Sequence, residues 1–136
     1  MINKNFKKKL LQDFKKNKNC FFSDGNSKVY YKSIFEKYLE LNKFLKKKNL
    51  FNKKILSVVY NQTKVHFWIN FVNSYLLNFT VMPLEKNSKN FKTIQKYFDA
   101  TIIFDGSDFT VKKNYSKKLN RIFNKTEYIS STSGST

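Results

Sequence analysis

Glycine and proline are both scarce in this chain, with three glycines and only Pro83, which excludes collagen-like and Gly/Pro-rich low-complexity architectures. Cysteine is limited to Cys20; no disulfide can form within the chain, and a reducing compartment is expected. Acidic residues number 9 against 27 basic ones, yet arginine is nearly missing as well, Arg121 being the sole example. Surfaces built to grip phosphates or base edges recruit arginine for its rigid bidentate fork. The formal charge of +18 therefore reads first as composition, since lysine is accompanied by the Asn, Phe, Ile and Tyr that AT-rich coding favours. No apolar run approaches the roughly 20 residues needed to cross a bilayer, because the richest stretch, residues 65–81, is broken by Asn70, Asn73, Ser74 and Asn78. The basic N-terminus lacks the apolar run and small-residue cleavage site of a secretory signal. A cytoplasmic protein without a membrane span is expected.

What the chain does have is core material. Forty per cent of its 136 residues are apolar, and they include 15 Phe and 8 Tyr, enough for one ordinary core. Residues 4–18 carry Phe6, Leu10, Leu11 and Phe14 at helical spacing among lysines. An amphipathic helix spanning 1–18 is expected to pack on the remainder, 19–136, in preference to acting as a membrane or nucleic-acid arm. Two β-prone runs at 20–22 and 29–31 flank a Gly-containing turn and predict a hairpin. Ser33 with Glu36 predicts a capping box at the head of a helix that aligns Ile34, Tyr38, Leu41 and Leu45. The same helix ends on Lys46, Lys47 and Lys48, where its dipole favours positive charge.

Strands and helices then alternate: a strand at 55–60, a helix at 65–78, a strand at 79–84 closed by Pro83, a short helix at 91–98 and a strand at 101–104. Residues 107–124 read as irregular and mobile, and 127–131 as a last strand. This alternation predicts an α/β fold, a mostly parallel sheet flanked by helices.

The chemistry-bearing segment is the last one. A strand running into Thr132, Ser133, Gly134, Ser135 and Thr136 aims hydroxyls and backbone N–H groups at one point, which suits a polyphosphate. Gly134 admits close approach of a ligand to the main chain. This is not a Walker A element, which needs Gly-Lys-[Ser/Thr] after spaced glycines. Thr132-Ser133-Gly134-Ser135-Thr136 resembles the first half of the phosphate-loop signature, Thr-Ser-Gly-Ser-Thr-Gly-x-Pro-Lys-Gly, of the adenylate-forming (AMP-binding, acyl-CoA synthetase-like) superfamily.

Four upstream pieces are similar to that superfamily in the same order. Val29-Tyr30-Tyr31-Lys32-Ser33-Ile34 resembles the entry to its first long helix. Leu56-Ser57-Val58-Val59-Tyr60-Asn61 resembles its strand ending in Asn. Phe79-Thr80-Val81-Met82-Pro83-Leu84 resembles its Pro-Leu strand, and Phe98-Asp99-Ala100-Thr101-Ile102-Ile103-Phe104 resembles its next helix-to-strand step. The family often has Gly where Asn78 or Phe79 stands, and an aromatic residue where Ser131 stands.

The resemblance implies the N-terminal portion of an adenylate-forming large domain, cut within its phosphate loop; a downstream frame resuming as Gly-x-Pro-Lys-Gly would mark a longer protein, and a stop codon a pseudogene or a genuinely short one. It implies an ATP- and Mg²⁺-dependent ligase that activates a carboxylic acid as an acyl-adenylate and passes it to a thiol of CoA or a carrier protein. Residues 132–136 would hold the nucleotide, with no catalytic residue and no metal ligand in this portion, which is expected to be inactive alone. The alternative is a small lysine-rich nucleic-acid-binding module, with Lys7–Lys9, Lys15, Lys16, Lys18, Lys53 and Lys54 interleaved with stackable rings; nucleic acid is the less expected partner. A stand-alone interaction protein is a third reading. His66 reads as a packing residue and Cys20 as an inert thiol. Asp99, Asp105 and Asp108 lack the loop and terminal Glu of a Ca²⁺ site.

Overall fold

The computed structural model describes residues 2–60, 63–85, 91–114 and 128–130. Its elements are α1 (Ile2–Lys16), β1 (Cys20–Ser23), β2 (Lys28–Tyr30), α2 (Tyr31–Lys47), β3 (Ile55–Tyr60), α3 (Lys64–Leu76), β4 (Thr80–Leu84), α4 (Phe91–Gln95), β5 (Ala100–Asp105) and β6 (Asp108–Lys113). The four longer strands form one sheet in the order β4-β3-β5-β6, and β1 and β2 pair separately. Strand β3 runs parallel to both neighbours, with Leu56 opposite Thr80 on one side and Ile55 opposite Ala100 on the other. The expected class is met: a mixed α/β fold with a mostly parallel sheet and helices against it.

The central strand is apolar on both faces because both are covered, as a parallel sheet requires. Ile55 and Val59 point into a core made with Leu41 and Leu45 of α2, Val81, Ala100, Ile102 and Phe104. Leu56 and Val58 point the other way, toward Met82, Leu84 and Phe98, with Ile94 of α4 and Ile129 against them. Ser57 is the exception within β3. It is fully buried, and its hydroxyl donates to Ser74 Oγ at 2.7 Å, which in turn donates to the Asn70 carbonyl at 2.8 Å. Two small hydroxyl side chains let α3 lie close on the sheet while leaving neither donor unpaired.

Helix α1 uses its apolar stripe as expected. Phe14 is 1% exposed and packs, with Leu10 and Leu11, in a cluster that holds Val29, Ile34 and Ile69. The β1–β2 hairpin is locked from its own loop: Asp24 Oδ1 accepts the N–H groups of Asn26 and Ser27 at 3.0 and 2.7 Å. Its other oxygen takes Lys64 Nζ at 2.8 Å, tying the loop to the first turn of α3. The Lys64 hydrogen bond, followed by the two backbone N–H groups, lowers the Asp24 carboxyl to about 2.

With so little glycine, asparagine closes two helices. Asn49 and Asn78 take φ values of 55° and 62°, the left-handed region that Asn tolerates better than other side chains. Each follows a helix with paired closing bonds: Leu50 N–H to Leu45 O with Asn49 N–H to Lys46 O, and Phe79 N–H to Ser74 O with Asn78 N–H to Tyr75 O. This is the two-bond helix stop that usually recruits glycine. Asn78 has a second duty, its side-chain oxygen accepting Lys7 Nζ at 2.7 Å. That contact and the Tyr75 ring 4.2 Å beneath it explain how Lys7 is only 7% exposed.

Two expectations are corrected. No capping box starts α2: the cap residue is Tyr30, without a side-chain cap bond, and Ser33 lies inside the helix. Glu36 instead meets Lys32 one turn back at 3.9 Å. The stretch read as irregular from 107 contains β6, antiparallel to β5 through a two-residue loop in which Gly106 has φ 64°, the tight hairpin geometry that glycine permits. Residues 115–127, the remainder of that stretch and the start of the last expected strand, lie outside the described residues.

Candidate functional site

The parallel strands set the direction of the site. β3, β4 and β5 all finish on one side of the sheet, at Tyr60, Leu84 and Asp105. Tyr128 makes a parallel bridge with Val81, and Ile129 N–H donates to the Val81 carbonyl at 2.9 Å. Part of the last expected strand is therefore present as a parallel partner on the outer edge of β4, running toward that same side. Pro83 explains why β4 suits this edge. Val81 turns its hydrogen-bonding groups outward to Ile129, and Pro83, two residues on, turns its missing donor to the same side, where an edge strand accommodates it. The Tyr128 ring lies against Phe71 of α3 at 6.1 Å. Thr132, Ser133, Gly134, Ser135 and Thr136, the residues read as the phosphate loop, lie outside the described residues, as does Ser131.

From β3 the chain passes to β4 on one side and then to β5 on the other. The crevice between the carboxyl ends of β3 and β5 is where open α/β sheets receive ligands. A cleft of about 200 Å³ opens there between α2, α3 and the β5–β6 loop, lined by Ser33, Glu36, Lys37, Glu40, His66, Ile69, Asn70 and Ser107. Its walls are fixed by polar contacts. Asn70, 2% exposed, donates to the Gly106 carbonyl at 2.9 Å, and Lys37 donates to the Ser107 carbonyl at 2.9 Å while pairing with Glu40 at 3.4 Å. The Lys37 ammonium also lies 5.1 Å over the Phe109 ring. Nothing in the sequence spacing marks this grouping, because its members come from three elements brought together by the crossover; only the polar interruptions Asn70 and Ser74 in an apolar helix hint at it.

The other singled-out residues have structural places. His66 sits in the first turn of α3, half-buried, sharing the cleft with Ser33 and Ser107, and no hydrogen bond joins it to either. The Cys20 thiol donates to the carbonyls of Phe22 and Val29 at 3.0 and 3.4 Å, inside the hairpin. Asp99 caps the chain entering β3, accepting Lys54 N–H at 3.1 Å. Asp105 and Asp108 face one another across the β5–β6 loop. Among the described residues no three His, Cys, Asp or Glu side chains converge to hold a metal ion, and no helix is long and apolar enough to cross a membrane. Comparison of the chain with protein-family models, with curated proteins and with solved structures finds no match.

Proposed function

We propose that this chain forms the first part of the large domain of an adenylate-forming acid–thiol ligase. The observation that carries the reading is the ordered resemblance ending in Thr132-Ser133-Gly134-Ser135-Thr136, together with the strand ahead of it, which joins β4 in parallel at Val81. A hydroxyl-rich turn after the carboxyl end of a parallel strand is well placed for polyphosphate, because backbone N–H groups there point outward to anionic oxygens. Asn78 adds a second support. Its φ of 62° is a backbone state that glycine adopts easily, so asparagine stands here where a glycine would also be accommodated.

In this reading a substrate carboxylate oxygen attacks the α-phosphorus of ATP. The bond to the bridging oxygen breaks, and pyrophosphate leaves with the electron pair. A thiolate of CoA or a carrier protein then attacks the acyl carbon and AMP departs. The hydroxyls of Thr132, Ser133, Ser135 and Thr136 and the N–H of Gly134 donate to the β- and γ-phosphate oxygens, offsetting the charge that builds on the leaving group. Mg²⁺ bound to the triphosphate would neutralise part of its charge. In this reading residues 132–136 form one edge of the ATP site, and binding of phosphate without turnover is expected of the 136-residue chain.

The test is amide NMR of the chain titrated with Mg²⁺–pyrophosphate and Mg²⁺–ATP. Shifts concentrated in residues 132–136, abolished by Gly134→Val, support the reading. Millimolar ligand that leaves those amides unmoved sinks it, and carboxylate-dependent ATP–pyrophosphate exchange by this chain alone overturns the assignment of an incomplete site.

A further inference from the structure

Position, more than total, distinguishes one set of lysines. Several of the chain's basic residues have local electrostatic reasons. Lys46 and Lys47 occupy the last turn of α2, where the dipole favours them. Lys32, Lys37 and Lys64 meet carboxylates, and Lys7 lies on Asn78 and Tyr75. Helix α1 is different. Lys8, Lys9, Lys15, Lys16 and, just past its end, Lys18 are all exposed, and Asp13 is the only carboxylate on the helix. Lys15 and Lys16 occupy its last turn, as Lys46 and Lys47 do in α2, but Lys8 and Lys9 fall mid-helix, where neither terminal dipole accounts for them, and the first turn contains no acid.

The stripe is also regularly spaced, with Asp13 alone standing beside one of its rows, one turn from both Lys9 and Lys16. Lys8 with Lys15, and Lys9 with Lys16, are two turns apart and so lie about 10 Å from each other along the axis, forming two rows on the outer face. The inner face is consumed by the core, with Phe14 1% exposed and Leu10 and Leu11 packed beside it. The helix therefore cannot insert an apolar face into lipid, the step on which amphipathic membrane helices rely. One exposed aromatic ring stands at the first end of the rows, and a second lies on the hairpin that follows α1. Phe6 is 53% exposed, three residues before Lys9, and Tyr30 is 45% exposed, paired in the hairpin opposite Cys20 and so close to Lys18.

We infer that the outer face of α1 is a docking surface for single-stranded nucleic acid, its lysine rows tracking the phosphates and Phe6 and Tyr30 offering rings on which bases stack. Ammonium groups along a backbone, with sequence-tolerant stacking at intervals, are the means by which single strands are held without base readout. The inference is independent of the ligase reading, which concerns the opposite end of the chain.

The test compares two variants of the whole chain that lower its formal charge of +18 by the same amount: Lys8, Lys9, Lys15 and Lys16 to Gln, and Lys43, Lys46, Lys47 and Lys53 to Gln. Binding of a labelled oligo-dT is followed by anisotropy from low to physiological salt, with circular dichroism reporting the fold. Five phosphate contacts give a log–log salt slope of about −3.5. The α1 variant should flatten it to about −0.7 and weaken binding at least tenfold, while the α2-region variant leaves the slope unchanged.

Equal loss in both variants means that total charge alone acts, and overturns the proposal. So does tighter association of the chain with phosphatidylserine vesicles than with the oligonucleotide. If the α1 variant loses helicity, ultraviolet crosslinking of the unaltered chain to the oligonucleotide decides: adducts at Phe6 or Tyr30 support the surface, and adducts confined to other peptides refute it.

Discussion

Asn49→Ala is expected to cost about 1–2 kcal/mol, the penalty for holding an ordinary side chain in the left-handed region, whereas Asn49→Gly should match or exceed the unaltered chain in urea melts. Asn78 will not behave as its twin. Glycine there keeps the turn but removes the acceptor of Lys7, leaving a nearly buried ammonium with one partner fewer, so Asn78→Gly should destabilise where Asn49→Gly does not. Asp24 makes a pH prediction with a definite sign. Its folded value of about 2 lies below the ordinary 3.8, so its contribution is complete above roughly pH 4 and is lost as pH falls toward 2. Carboxyl NMR titration should find that midpoint, and Lys64→Gln should return it upward, because the Lys64 bond is the largest cause. These roles were partly legible in the sequence. Asp24 stands in a plain turn signal, but its ion pair 40 residues downstream depends on the crossover, and an asparagine replacing glycine at a helix end looks like any other polar residue.

The contact between α3 and β3 is set by small groups, so its tolerance is narrow. Ser57→Ala should cost about 1 kcal/mol, a single buried hydrogen bond. Ser57→Leu should cost more, about 1–3 kcal/mol, because it forces extra volume under a helix already seated on Ser74. Phe104→Ala, removing a ring that is 0% exposed, should cost about 3–5 kcal/mol; chemical denaturation checks all three. The elements themselves were read from periodicity with fair accuracy, because Ile55–Tyr60 is β-branched and too short for a helix. The misreadings have physical causes. The Ser33–Glu36 pair satisfies the capping pattern, but the β2 strand runs directly into α2 at Tyr30, so the helix begins before the motif. Strand β6 escapes a periodicity reading since its period-two pattern rests only on Phe109 and Val111, with Lys112 and Lys113 following.

A molecule of +18 repels itself. Raising ionic strength from 0.01 to 0.15 M shortens the Debye length from about 30 to about 8 Å, and the melting temperature should rise over that range and then level off; a flat profile would mean that the lysines are already neutralised in pairs. Fold class was legible at this scale because alternation of elements is a global signal that local errors hardly disturb. The cleft beside His66 was not, since its lining residues are joined only by strand order. The proposed nucleotide site rests on residues 132–136 and so on resemblance, and the chain's own geometry contributes the direction of the Tyr128–Ile129 segment upstream of them.

The two borders of the sheet are unequal. On one, β6 ends in exposed Lys112 and Lys113, and charged side chains on an outermost strand discourage another from joining. On the other, β4 has already taken Tyr128 as a neighbour, and Pro83 limits how far that pairing can zip. Among the described residues, the β4 border is therefore the one that has accepted a further neighbour. Amide protons of β3, enclosed from both sides, should be the last to exchange with deuterium, and those of β6 among the first.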